Sequence, residues 1–249
     1  MNTDLSSPQT TTVAPHILLV NHFKALKLPT FAREYEKVGA DCAREGVDYP
    51  RYLLRLCKLA RINRERRNME RRIRQAKFPA TKSLDTFEFL AIPALNKSLV
   101  LELARCEWID RRENITALGP SGMGKTHTAL ALGLAACQKG YSVAFTSAAS
   151  LVHELMEVRD ERRLRTLQKQ LSTVKLRIED ELGYVPFTAV GAELLFEVFS
   201  LRYEQEATLV TSSLPFDEWT SVLGSERLTG TLLDRLTHHV YILEMNGES

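Results

Sequence analysis

Apolar residues change their spacing along the chain, and the change divides it. The first fifteen residues, MNTDLSSPQTTTVAP, have no apolar period and read as a flexible tail rich in Ser, Thr and Pro. Helical spacing follows over His16–Lys27, is broken at Leu28-Pro29-Thr30, and resumes over Phe31–Glu45. Gly46 to Pro50 form the next break, and Pro50 suits the first turn of a long third helix from about Arg51 to Ala76. Leu53, Leu56, Cys57 and Ala60 fall on one face of that helix, followed by Ile62, Met69 and Ile73. Phe78-Pro79 ends it. From about Asn114 short apolar runs alternate with helical segments, the signature of an α/β domain with a parallel sheet. The strands read as Ile115–Leu118, Ser142–Thr146, Leu176–Ile178, Thr208–Thr211 and Val240–Leu243. The expected organisation is a tail over 1–15, a small all-α domain over 16–76 and an α/β domain over 77–249.

Charge sharpens this division. The chain carries a formal net charge of +2, but residues 51–82 hold twelve Lys/Arg against two Asp/Glu, while residues 83–249 hold sixteen against twenty-three. Arg61, Arg64, Arg67, Arg71 and Arg74 recur every three or four residues and stack as a stripe along a helix. A merely solvated face usually mixes signs to avoid self-repulsion. Here only Glu65 and Glu70 stand against eleven basic residues between Arg51 and Lys77. The stripe is therefore read as a surface for the phosphate backbone of a nucleic acid. Two helices and a turn ahead of it also fit a helix-turn-helix-like reader.

Composition excludes other classes. The 249 residues are 44% hydrophobic and 26% charged, an ordinary globular balance. The longest uncharged apolar run, Ala129 to Cys137, is too short to span a bilayer. A polar N-terminus argues against a signal peptide. Cys42, Cys57, Cys106 and Cys137 lack C-x-x-C spacing, so neither a zinc site nor a disulfide framework is indicated and a reducing cytoplasm is expected. His238 and His239 are adjacent and cannot face one metal site from a helix.

One stretch carries sharp chemistry. Gly119-Pro120-Ser121-Gly122-Met123-Gly124-Lys125-Thr126 satisfies G-x-x-x-x-G-K-[ST], follows the strand NITAL and opens the apolar helix THTALALGLAAC. Its glycines let successive N–H groups turn toward phosphate oxygens, and the helix N-terminus adds partial positive charge. Lys125 is expected on the β- and γ-phosphates of ATP, the Thr126 hydroxyl on Mg²⁺, and His127 beside the bound nucleotide. Asp180, 54 residues beyond Thr126, ends a strand and suits the magnesium role; Glu181 suits polarising the attacking water. Arg177 and Glu179 are out of place in a strand that should be apolar on both faces. By period-two geometry they share a side, where they pair, face a subunit boundary or weaken the strand.

The runs EDELGYVPF, LVTSSLPFDEW and GSERLTGTLLDRLTHHVYILEMNGES, with RINRERRNMERRIRQAKFPATKSLDTFEF before them, resemble the IstB family over about residues 16–249. These are AAA+ ATPases that assist the transposases of a class of bacterial insertion sequences. The resemblance implies an AAA+ P-loop fold in 77–249, with a parallel sheet flanked by helices, and a helical DNA-binding domain before it. It further implies ATP-dependent homo-oligomerisation on duplex DNA, with ATP sites between subunits, and a cognate transposase as partner. Arg235 in LLDRL matches the family's finger position, and segment Phe78–Phe89 would wrap toward the adenine. Ser213 stands where the family's ILTSNLPF places an asparagine, and this implies slower hydrolysis. The family also continues GES with Tyr-Arg; the sequence ends at Ser249, which implies weaker sensing of nucleotide.

Three other readings share the phosphate loop. A DnaC-type helicase loader would prefer single-stranded DNA. A nucleotide-gated scaffold would bind without useful turnover. A small-metabolite kinase would leave the arginine stripe and Asp180-Glu181 unexplained.

Overall fold

The computed structural model describes residues 15–158 and 161–246. Nearly all of the expected tail, and the terminal Gly247-Glu248-Ser249, lie outside the described residues.

The chain forms two compact units, divided between Asn68 and Met69. The first contains α1 (Pro15–Ala25), α2 (Pro29–Arg44) and the greater part of α3 (Tyr49–Ala76). The Leu28-Pro29-Thr30 break is narrower than its composition suggests. Pro29 occupies the first turn of α2, where a missing N–H costs nothing, so the proline starts a helix as well as ending one. Phe31, Val38, Cys42 and Leu56 make a small core, with Phe23, Tyr35 and Tyr52 packed around it. Of the apolar face read on α3, Leu56 is buried and Ala60 half-buried, whereas Leu53 and Cys57 are exposed. Two short helices cover only a narrow strip of a 28-residue one.

In the second unit the end of α3 is part of the core: Ala76 is fully buried, with Ile73 and Phe78 beside it. Arg72 donates to the Cys137 carbonyl at 2.9 Å. Two single-turn 3₁₀ segments, Leu84–Thr86 and Phe89–Ala91, lead to α4 (Lys97–Leu103) and α5 (Glu107–Asp110). Alternation then begins. The order is β1 (Asn114–Leu118), α6 (Lys125–Lys139), β2 (Val143–Ser147), α7 (Ala148–Glu157), α8 (Glu161–Ser172), β3 (Leu176–Asp180), α9 (Ala189–Arg202), β4 (Ala207–Ser212), α10 (Trp219–Leu223), α11 (Glu226–Thr237) and β5 (Val240–Glu244).

All strand pairs are parallel, in the order β2-β3-β4-β1-β5. Each strand read from the sequence is present within one or two residues. Side chains alternate between two apolar layers. Ile115, Ala117, Leu176, Ile178 and Leu209 join α6, α4 and α5 in one; Val210 joins α7, α9 and α11 in the other. Trp108 and Trp219 are core residues, one in each layer. Because β4 lies between β1 and β3, the carboxyl ends of three strands converge beside the loop after β1, the crevice where open α/β sheets bind ligands.

Candidate nucleotide-binding site

Residues 119–124 turn from β1 into α6. Gly124 has φ +76° and Gly119 φ +147°, values a side chain rarely adopts. A Cβ at Gly119 would lie 2.3 Å from the Met245 carbonyl oxygen, since the chain leaving β5 runs against the loop. Lys125 folds back into the loop, its Nζ donating to the carbonyls of Gly119 (2.6 Å) and Pro120 (2.7 Å). Burial lowers the pKa of this ammonium, opposed by the charges of Asp180 and Glu181.

Across the crevice, Asp180 accepts from two hydroxyls. Thr126 Oγ1 lies 2.9 and 3.1 Å from its two oxygens, and Thr211 Oγ1 donates to Oδ1 at 2.6 Å. Thr211 also accepts the Glu181 backbone N–H at 3.0 Å. Glu181 stands in the left-handed region at φ +58°, a conformation costing a non-glycine residue about 1–2 kcal/mol. The end of β4 thus ties both acidic residues in place. Ser121, Gly122, Gly124, Lys125, Thr126, His127, Glu181, Tyr184, Thr211 and Ser213 line one cavity of about 270 Å³. Met123, by contrast, is buried beneath the loop.

The segment before β1 reaches the same place. Phe87 packs on Gly124 and edge-on against the His127 ring, 5.1 Å between centroids, while His127 Nε2 lies 3.2 Å from the Ser83 carbonyl. Together these features describe a phosphate loop with an acidic strand end facing it and an aromatic segment at its flank.

The sequence model for the IstB-like ATP binding protein matches residues 21–249. The chain belongs to the IstB-like ATP-binding family. A relative from Geobacillus stearothermophilus, named for insertion sequence IS5376 and for ATP binding, is 34% identical over 90% of this chain and 89% of its own. One from Pseudomonas aeruginosa, named likewise for IS21, is 35% identical over 90% and 84%. Among solved structures, DnaI superposes with a TM-score of 0.57 at 15% identity, covering 66% of this chain and 91% of its own. The DnaC helicase loader gives 0.54 at 20%, covering 66% and 96%. DnaA bound to AMPPCP and single-stranded DNA gives 0.56 at 19%, covering 69% and 52%. At such identities these likenesses show the fold alone, and the fold is that of the AAA+ proteins.

Within this IstB-like chain the structure gathers most of the residues singled out from the sequence. Ser121, Gly122, Gly124, Lys125, Thr126, His127, Glu181 and Ser213 share the cavity, with Asp180 hydrogen-bonded at its wall. Arg235 is not among the cavity residues; its guanidinium lies against α9. The five stripe arginines are all exposed: Arg61, Arg64 and Arg67 in the first unit, Arg71 and Arg74 in the second. Arg61 lies 3.9 Å from Glu65, and Arg67 donates to the Asn63 carbonyl at 3.1 Å. Sequence reasoning passed over Thr211 and Tyr184. A hydroxyl residue two positions before Ser213, near the end of the strand neighbouring Asp180, was the available signal for Thr211.

Arg177 and Glu179 pair with each other, so of the three possibilities the first holds. Both are buried, and among the described residues Glu179 Oε2 has no hydrogen-bond partner. Burial pushes the Glu179 carboxyl above its usual range, opposed by Arg177 and Arg202. Arg202, itself buried, donates to the Leu171, Val174 and Ala207 carbonyls and to Thr208, and burial lowers it to about 10.

Among the described residues no cluster of His, Cys, Asp and Glu could hold a metal unaided. His238 and His239 pack ring against ring at 4.3 Å. No described helix is long and apolar enough to cross a membrane.

Proposed function

We propose that this chain hydrolyses ATP while assembled on duplex DNA, serving as the helper of an insertion-sequence transposase, with hydrolysis timing disassembly. The observation that carries the catalytic part is the linkage Thr126–Asp180–Thr211–Glu181 on the wall of the phosphate-loop cavity. The names of the relatives, which join insertion sequences to ATP binding, support the biological part.

The loop N–H groups would bind the phosphates, and Lys125 would exchange the carbonyls of Gly119 and Pro120 for β- and γ-phosphate oxygens. Thr126 and Asp180 offer a hydroxyl and a carboxylate within 3.1 Å of each other. That hard-oxygen pair suits Mg²⁺, which typically takes one or two carboxylates plus substrate phosphates. When bound, Mg²⁺ neutralises charge on the phosphate oxygens. Glu181, held by its N–H on Thr211, would orient water in line with the γ-phosphate and draw off its proton. Arg235 would act on the site of a neighbouring subunit, stabilising transition-state charge. The stripe Arg61, Arg64, Arg67, Arg71 and Arg74 would contact DNA phosphates without reading sequence.

Steady-state ATP turnover with and without duplex DNA, in the native chain and in Glu181→Gln and Lys125→Ala, tests this reading. DNA-stimulated turnover falling at least about 100-fold in both variants is expected. Duplex affinity should fall with salt at a log–log slope of about −4 to −5 for five phosphate contacts. Turnover that ignores either substitution would overturn the catalytic assignment.

One observation favours a second reading. Ser213 lines the cavity where the family resemblance leads to a carboxamide. A hydroxyl reaches less far, so a nucleotide-gated scaffold with little turnover is the alternative. ATP-dependent DNA binding without hydrolysis would select it, and Ser213→Asn would then raise turnover.

A further inference from the structure

The way Arg235 is held goes beyond naming it as a finger. This side chain projects from α11 onto α9. Its Nη1 donates to Ser200 Oγ, the Ser200 hydroxyl donates in turn to the Phe196 carbonyl at 2.7 Å, and the guanidinium carbon stands 4.7 Å over the centre of the Phe196 ring. Phe196 and Ser200 are one helical turn apart, so a single face of α9 presents both an aromatic plane and a hydroxyl.

The chemistry of this holder matters. Asp234 is adjacent and Glu226 lies on the same helix, yet among the described residues Arg235 makes no ion pair with either. An arginine meant only to stabilise a helix surface is normally met by a carboxylate. Here a neutral ring and a neutral hydroxyl restrict the guanidinium to one plane without neutralising it. Only one of its N–H donors is engaged among the described residues. Guanidinium stacking on an aromatic face and bidentate recognition of phosphate are compatible, because the first uses the plane and the second the edge.

We infer that Phe196 and Ser200 are positioning residues that pre-orient Arg235, with its charge unspent, for a phosphate of the nucleotide bound to a neighbouring subunit. This rests on the proposal that Arg235 acts in trans. Neither residue touches nucleotide; each acts through the arginine. A pre-set arginine avoids fixing a flexible side chain at the moment of reaction, so loss of the holder lowers turnover and leaves nucleotide binding in the subunit's own cavity intact.

The test uses full-length chains carrying Phe196→Leu, Phe196→Tyr, Ser200→Ala and Arg235→Ala, with circular dichroism and ATP affinity measured beside turnover on duplex DNA. Phe196→Leu and Ser200→Ala are expected to lower kcat about ten-fold each with ATP Kd unchanged, and Phe196→Tyr, which keeps the ring, to restore most of it. Mixing separates positioning in trans from damage in cis. Phe196→Leu subunits have an intact cavity, and Glu181→Gln subunits have an intact Arg235 holder. Mixed assemblies should therefore turn over faster than either parent. If Arg235→Ala is inactive while Phe196→Leu and Ser200→Ala match the native chain, the holder is overturned and the finger stands. Native turnover in Arg235→Ala overturns the finger itself, and this inference with it. Equal loss in Phe196→Leu and Phe196→Tyr, or mixtures no better than their parents, likewise refutes positioning by the ring.

Discussion

Glu179 and Asp180 are consecutive, almost equally buried at 1% and 5% exposed, and face opposite sides of the same sheet. Asp180 turns with Ile178 toward the phosphate loop, where Thr126 and Thr211 donate to it. Glu179 turns with Arg177 toward the layer beneath α9 and pairs with that arginine. The difference lies in what neutralises each charge. Two neutral hydroxyls hold Asp180 at the cavity wall, where the function proposed above gives it a cation to bind. A buried arginine pairs with one oxygen of Glu179 internally, and among the described residues the second oxygen has no hydrogen-bond partner. Period-two alternation thus places a carboxylate facing the phosphate-loop side beside one paired inside the fold, and the proposal gives the two identical groups different work because their partners differ.

Breaking the structural pair should give the largest effect. Glu179→Ile leaves the Arg177 guanidinium buried without its partner and is expected to cost about 3–5 kcal/mol in denaturant unfolding. Arg177→Leu combined with Glu179→Ile should recover native stability or exceed it, since well-packed apolar residues often replace a buried ion pair at no net cost. A double variant as unstable as the single one would show that the pair does more than neutralise itself.

On the ligand-directed face, Thr211→Ala removes the 2.6 Å donor of Asp180 and the acceptor of the Glu181 N–H together. About 1–3 kcal/mol of stability should be lost. Apparent Mg²⁺ affinity in the ATPase assay should fall about ten-fold or more. Glu181→Gly probes the strain there. Relief of the left-handed backbone should raise stability by about 1 kcal/mol while turnover disappears, a gain and a loss read from the same sample.

These two faces were unequally legible in the sequence. The phosphate loop, Asp180 and Glu181 stand at spacings that phosphate chemistry dictates, and the strands follow from apolar runs between turn residues. Five parallel strands and most of the cavity members emerge from that pattern, Thr211 and Tyr184 excepted. Pairing of Arg177 with Glu179 was one of three possibilities, because alternation tells which side two residues share but not what else is buried there. Arg202, 25 positions after Arg177, supplies the rest of that environment only once α9 has packed. The same limit hid the partners of Arg235: Asp234 and Glu226 are near in sequence, whereas Phe196 and Ser200 are near in space. In the first unit, helical spacing put Leu53 and Cys57 on one face with Leu56, but periodicity cannot say how much of a long helix two short ones will cover.

The smallest expected effect is a slope with pH. Burial raises Glu179 above its ordinary value of 4.5, so the fold favours the protonated acid. Stability from this site is fully present below about 4.5 and is lost as pH rises through the raised pKa. Glutamine does not titrate at this position, so native stability should decline relative to E179Q as pH increases above 4.5. Parallel unfolding curves for the two chains across pH 4.5 to 7 would show instead that Arg177 and Arg202 hold Glu179 at its unfolded value.

The most direct test of this division of labour sets Glu181→Gln beside Glu179→Gln in one ATPase assay on duplex DNA, with ATP affinity and unfolding measured on the same preparations. Glu181→Gln is predicted to bind ATP with native affinity and stability and to lose turnover. Glu179→Gln should lose stability yet keep near-native turnover per folded molecule. Turnover retained in Glu181→Gln, or abolished in a fully folded Glu179→Gln, would contradict the account.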